Sequence, residues 1–129
     1  MRTVLIIDPD LGFVFWLGQM LLAGGYNALP AKGVPEATAL LGELGVVVDL
    51  LIVNPSLPGA PNLVEELRRA SSDLKVLLLA GDNGEPAAAI RRPDAVLRKP
   101  LQTDRVAGAL WSHSVEQLLE RNRPDRVAG

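Results

Sequence analysis

The chain has 129 residues, a formal net charge of −2 and no cysteine. This length suits one domain around one core, the weak negative charge argues against a nucleic-acid-binding surface, and the lack of cysteine excludes disulfides and thiolate metal sites. The N-terminal apolar run reaches a charge at Asp8 and is too short for a signal peptide or a membrane span, so we expect a cytoplasmic protein without membrane contact.

The first half of the chain alternates between strand and helix patterns. In chain order, the predicted elements are a strand at 3–7, a helix at 13–23, a strand at 26–31 and a helix at 35–44. The first helix is apolar on nearly all sides and ends at Gly24, a typical C-cap residue. Pro30 interrupts the second strand, which is typical of a strand at the edge of a sheet.

The second half continues the same alternation. The predicted elements are strands at 50–53, 74–79 and 95–97 and helices at 62–70, 84–90 and 103–119. For the last helix we expect Thr103 as N-cap and an apolar face of Val106, Leu110, Val115, Leu118 and Leu119. One domain over residues 1–120 is predicted, followed by a polar, flexible tail at 121–129.

Short, nearly continuous apolar strands separated by helices predict a parallel sheet with both faces covered. Five such units give an α/β fold of the (βα)5 flavodoxin-like type, with a five-stranded parallel sheet in the order 2-1-3-4-5 and helices on both faces. In this arrangement the ligand crevice lies at the carboxyl ends of the strands.

The residues at these strand ends form the predicted pocket. Asp8, Pro9 and Asp10 follow the first strand, Asn54 follows the third, Ala80 the fourth and Lys99-Pro100 the fifth. The segment Asn54-x-x-Leu57-Pro58 resembles the Asp-x-x-Met/Leu-Pro signature of bacterial response-regulator receiver domains, which are CheY-like, and Lys99-Pro100 resembles the Lys-Pro of the same family.

The resemblance implies an acidic pair whose second member binds Mg2+, an aspartate that accepts a phosphoryl group, and a Thr or Ser that binds this group. It also implies a switch aromatic, often a rotating Tyr or Phe, and a lysine followed by proline. Asp8 and Lys99 match that set. The positions that depart from it are the second acid (Pro9), the acceptor (Asn54), the hydroxyl (Ala80) and the switch aromatic (Val96). The sequence therefore indicates a pseudo-receiver with a vestigial phosphorylation pocket.

Several alternatives remain open at this pocket. Asp10 is well placed to cap the first helix rather than to bind metal, and Asp82 to cap a loop. A third possibility is phosphorylation at Asp10 or Asp82. Lys99 has a structural role available as the ion-pair partner of Asp8. By resemblance to the family, we also expect the Lys99–Pro100 peptide bond to be cis.

These observations favour a phosphorylation-independent, receiver-like signalling module of a two-component-type system, which is not an enzyme and needs no cofactor or metal. Its expected partners are proteins, and a homodimer is one form of this contact. The expected surface comprises the fourth helix (84–90), the fifth strand and the fifth helix (103–119). The alternative is a small-molecule- or anion-binding α/β module that uses the same crevice.

Overall fold

The computed structural model describes residues 1–80 and 90–120. The strands are β1 (Thr3–Ile7), β2 (Asn27–Ala31), β3 (Leu50–Val53), β4 (Lys75–Ala80) and β5 (Ala95–Arg98), and the helices are α1 (Leu11–Ala23), α2 (Val34–Leu44), α3 (Ala60–Ala70) and α4 (Arg105–Glu120). All strand pairs are parallel, in the order β2-β1-β3-β4-β5. The predicted fold class and strand order are confirmed. The predicted helix at 84–90, except Ile90, and the tail at 121–129 lie outside the described residues.

The sheet separates two apolar cores. Leu5 and Ile7 of β1 face the core beneath α2 and α3, whereas Val4 and Ile6 face the core beneath α1 and α4. Because both faces are buried, β3 is apolar at every position and β1 is apolar after Thr3, and neither strand alternates between apolar and polar residues. Within the described part of the chain, no helix combines the length and apolarity that crossing a bilayer requires.

The helix starts show which polar side chains act as caps. Asp10 precedes α1, and its carboxylate accepts a hydrogen bond from the Phe13 backbone N at 3.2 Å, so the capping role predicted for Asp10 is confirmed. The prediction of Thr103 as the cap of the last helix is wrong. Asp104 accepts from the Ala107 backbone N at 3.0 Å, and a carboxylate also interacts favourably with the helix dipole.

The predicted apolar face of α4 is confirmed at Val115, Leu118 and Leu119, which are buried, and is wrong at the start of the helix. Trp111 and Val115 are buried, whereas Val106 is 78% exposed and Leu110 is 56% exposed. Trp111 is the largest fully buried side chain and packs edge-on against the ring of Phe13 at 5.7 Å between centroids. Since Trp111 points into the core, Leu110 is rotated about 100° away from it around the helix axis. The start of α4 therefore presents apolar side chains to solvent.

Candidate functional site

Three polar side chains meet at the carboxyl edge of the sheet. Asp8 directly follows β1, Asn54 follows β3 and Lys99 follows β5. In parallel strands the carboxyl ends lie at one edge, which is why residues far apart in the sequence become neighbours. Direct hydrogen bonds thus join the side chains of three of the six predicted pocket residues, and a fourth, Asp10, donates its backbone N–H to Asp8.

Asp8 is the centre of this network and is fully buried. Its Oδ1 accepts hydrogen bonds from the Asp10 backbone N at 2.8 Å and from Lys99 Nζ at 3.0 Å. Its Oδ2 accepts a hydrogen bond from Asn54 Nδ2 at 3.1 Å. A buried carboxylate is costly unless it is paired and hydrogen-bonded, and here both conditions are met by the protein's own groups.

The orientation of the Asn54 amide follows from its other neighbours. Asn54 Oδ1 accepts from the Ser56 backbone N at 3.0 Å and from Ser56 Oγ at 2.7 Å. Because a backbone N–H can only donate, the atom facing it must be the amide oxygen. The amide NH2 therefore faces Asp8. A carboxylate at position 54 would instead repel the Asp8 carboxylate.

Lys99 connects the network to the crevice. Its Nζ lies 3.0 Å from Asp8 Oδ1 and 4.0 Å from Asp10 Oδ2, so one ammonium group faces two carboxylates. The same nitrogen lies 5.7 Å from the centroid of the Phe13 ring, within the range of a cation–π contact. The predicted cis bond between Lys99 and Pro100 is wrong, because every described peptide bond is trans. Trans is the more stable isomer before proline, and Lys99 reaches Asp8 without a cis bond.

The other predicted residues contribute no hydrogen-bonding side chain. Pro9 is exposed, and Ala80 ends β4 with a nearly buried methyl group where a receiver has a hydroxyl. Val96 is 39% exposed on β5. Asp82 lies outside the described residues. The vestigial phosphorylation pocket stays a prediction, and the observed geometry is compatible with it.

Two contributors to the site were missed by the sequence analysis. The Ser56 hydroxyl holds the Asn54 oxygen, and the spacing Asn-x-Ser could have indicated it, because an Asn side chain commonly accepts from the backbone two residues later. Phe13 lies beneath the Lys99 ammonium, and no local pattern connects these two residues.

An open crevice of about 540 Å3 adjoins the network. It lies between the start of α1 and the segment after β5, and its lining residues are Asp10, Gly12, Phe13, Lys99, Pro100, Leu101, Gln102 and Thr103. Its charged groups are one ammonium and one carboxylate, and that ammonium is already paired with Asp8.

The residues at these positions do not fit Mg2+. Mg2+ takes oxygen ligands in octahedral geometry, usually with one or two carboxylates. Asp8 is already the acceptor of three hydrogen bonds, Pro9 offers no side-chain ligand, and Asn54 directs its NH2 inward. In the described ranges, 1–80 and 90–120, no cluster of three or more His, Cys, Asp or Glu could hold a metal ion.

We therefore expect Mg2+ to leave the stability of the fold unchanged. An ion stabilises a protein only through its affinity for the folded state, so a site with a Kd far above the ion concentration contributes almost nothing. The melting temperature should differ by less than about one degree between chelator and millimolar Mg2+. A saturable rise of several degrees, absent in a monovalent salt of equal ionic strength, would contradict this expectation.

Comparisons with solved structures establish the fold. No protein-family model and no curated protein matches the chain. Response regulator TrrA from Thermotoga maritima, solved with Mg2+ and BeF, has a TM-score of 0.68 and 24% identity over 92% of this chain and 100% of that one. A CheY-like receiver domain from Methanospirillum hungatei has a TM-score of 0.72 and 18% identity over 95% of this chain and 96% of that one.

A third solved structure is the beryllofluoride-activated NtrC4 receiver domain, which is a dimer. It has a TM-score of 0.71 and 20% identity, and the match covers 95% of this chain and 100% of that one. At these identities the similarity establishes the fold, while the site residues have to be compared one by one. The chain has the CheY-like fold of response-regulator receiver domains.

Proposed function

We propose that this chain is a receiver-like signalling module that acts by protein contact and is not phosphorylated. The observation that carries the proposal is the hydrogen bond from Asn54 Nδ2 to Asp8 Oδ2 at 3.1 Å. By the sequence resemblance Asn54 stands at the position of the acceptor carboxylate, and its bond to Asp8 completes a network made of the protein's own groups.

The chemistry of the amide supports this proposal. Phosphoryl transfer to a receiver forms an acyl phosphate on a carboxylate oxygen. The Asn54 nitrogen is not a nucleophile at neutral pH, and its oxygen carries no formal charge and already accepts two hydrogen bonds from Ser56. Pro9 supplies no carboxylate for a metal that would offset phosphoryl charge, and Ala80 has no hydroxyl to bind the group.

The surface around β5 and the start of α4 is suited to protein contact. Leu101, Val106 and Leu110 are all largely exposed and line one apolar groove of about 410 Å3 together with the neighbouring Pro100. Exposed apolar side chains grouped in this way mark interaction sites more often than single ones do. We propose this groove as the docking face for a protein partner.

The first test is phosphorylation itself. Incubation with a small phosphodonor and Mg2+, followed by intact-mass measurement, should leave the mass unchanged, because Asn54 cannot accept the group. A receiver with an intact acceptor, treated in parallel, confirms that the donor is active. A stoichiometric mass gain that hydroxylamine removes would contradict the proposal, and mapping it to Asp10 or Asp82 would identify another acceptor.

The second test concerns the docking face. A partner captured from the native extract should bind equally before and after phosphodonor treatment, and Leu110→Glu should abolish its binding. Thr38→Glu, at an exposed position on α2, is the matched control and should bind like the wild type. Binding that requires the phosphodonor, or that survives Leu110→Glu, would count against the proposal.

Small-molecule binding is a second candidate, favoured by the crevice of about 540 Å3 beside Lys99. Its charge does not suit an anion, because Asp8 and Asp10 outnumber the single Lys99 ammonium. A neutral polar ligand fits better. A metabolite that raises the melting temperature of the wild type, but not of Gln102→Ala, would favour this candidate.

A further inference from the structure

Helix α1 has an unusual composition for a helix at the protein surface. Its sequence, LGFVFWLGQMLLA, contains no charged residue and one strongly polar side chain, Gln19. A helix that is apolar all round is normally buried on all sides. Here the outward face carries Leu11, Phe15 and Leu22, which are 42%, 54% and 56% exposed. This face therefore has the composition of a contact surface.

A groove runs along this face between α1 and the edge strand β2. It has a volume of about 150 Å3 and is predominantly apolar, with Phe15 and Leu22 on α1 and Pro30 on β2 among its lining residues. Gly18 lies in its floor, where an added Cβ would come no closer than 3.9 Å to the Ala28 Cβ. A large side chain, Phe15, thus lies one helical turn from a position without a side chain.

The edge of β2 is unsuited to a further strand. The Asn27 N donates to Arg2 O and the Asp8 N donates to Ala31 O, so residues 27, 29 and 31 direct their backbone groups toward β1. Ala28 and Pro30 face the open edge, and proline has no N–H to donate. A helix that packs into the groove is therefore a better occupant than an added strand.

We propose that this occupant is α1 of a second copy of the chain, packed antiparallel across a two-fold axis. A two-fold contact requires a surface complementary to itself. Phe15 of each copy can fill the space above Gly18 of the other, which gives two identical contacts. Because α1 is uncharged, no like charges oppose each other along the seam. The antiparallel arrangement also separates the two Asp10 carboxylates, which a parallel one would bring together.

The expected dimer is weak. A helix of 13 residues is about 20 Å long, so the contact is smaller than the interfaces of permanent dimers. The protein should therefore be a monomer when dilute and approach a dimer when concentrated. The groove beside α1 shares no lining residue with the proposed docking face on α4, so the two contacts can be tested separately.

Sedimentation equilibrium of the full chain from micromolar to millimolar concentration tests the proposal. The wild-type mass should rise from 13.8 kDa toward twice that value. Phe15→Glu should remain monomeric, because it places two carboxylates in the seam, whereas Leu110→Glu in the α4 groove should associate like the wild type. Phe15 is half exposed, so the fold should tolerate glutamate, and circular dichroism checks this.

Gly18→Ala separates association from folding. Alanine favours the helix and has room beside Ala28, so the melting temperature should rise. Its methyl group occupies the space that Phe15 of the other copy would fill, so dimerisation should weaken by about tenfold. A wild type that is monomeric at every concentration, or a Gly18→Ala dimer as strong as the wild type, overturns the proposal. Loss of the dimer in Leu110→Glu but not in Phe15→Glu also overturns it, and would instead assign the dimer to the α4 face.

Discussion

Asn54→Asp is expected to destabilise the fold by about 2–4 kcal/mol at neutral pH, which lowers the melting temperature by roughly 10 °C. The substitution removes the hydrogen bond of 3.1 Å to Asp8 and places a second carboxylate against a fully buried one. Lys99 lies 3.0 Å from Asp8 and offsets only part of this repulsion. Thermal and denaturant unfolding measure the loss.

The pH dependence of the stability loss distinguishes repulsion between the two carboxylates from loss of the hydrogen bond between Asn54 and Asp8. The neighbouring Asp8 charge raises the pKa of the introduced carboxyl above its value in the unfolded chain. The folded variant therefore binds more protons than the unfolded chain, so its stability deficit shrinks as the pH falls toward about 4 and grows as the pH rises. Asn54→Ala, which removes the hydrogen bond without adding charge, should cost about 1–2 kcal/mol with little of this pH dependence.

The same variant tests whether one substitution restores a working receiver. Pro9, Ala80 and Val96 remain, so the second metal ligand, the hydroxyl and the switch aromatic are still missing. We expect no rapid phosphorylation and no phosphorylation-dependent change of oligomeric state. Rapid phosphorylation together with such a change would show that the pocket is not vestigial.

Lys99→Met should destabilise the fold by about 2–3 kcal/mol. Breaking a fully buried ion pair costs somewhat more, but the Lys99 side chain is 32% exposed and water screens part of the interaction. Asp8 keeps its hydrogen bonds from Asn54 and from the Asp10 backbone but loses its counter-charge. Methionine retains the length of the lysine chain over Phe13, so the loss reports mainly on charge.

The matched control for this prediction is Lys32→Met, which removes a lysine from an exposed position after β2 and should change stability by less than about 0.5 kcal/mol. An equal loss of stability in both variants would show that Lys99 is not the counter-ion of Asp8.

The sequence predicts the fold well because its signals are local and mutually consistent. Apolar runs such as 50–53, bounded by Asp49 and Asn54, indicate strands buried on both faces, and their alternation with helices admits few topologies. The polar residues at the strand ends then necessarily meet at one edge. This is why the proximity of Asp8, Asn54 and Lys99 could be inferred without coordinates.

Tertiary packing decided the features that depend on several distant groups at once. The direction of the Asn54 amide depends on Ser56, which the local spacing Asn-x-Ser indicates, and on Asp8, which only the fold brings next to it. The exposure of Val106 and Leu110 depends on which face of α4 Trp111 turns to the core. Local sequence patterns specify helices and strands because those elements depend on residues close together in the chain. The orientation and exposure of a side chain depend on the residues that the fold places next to it, which are distant in the sequence.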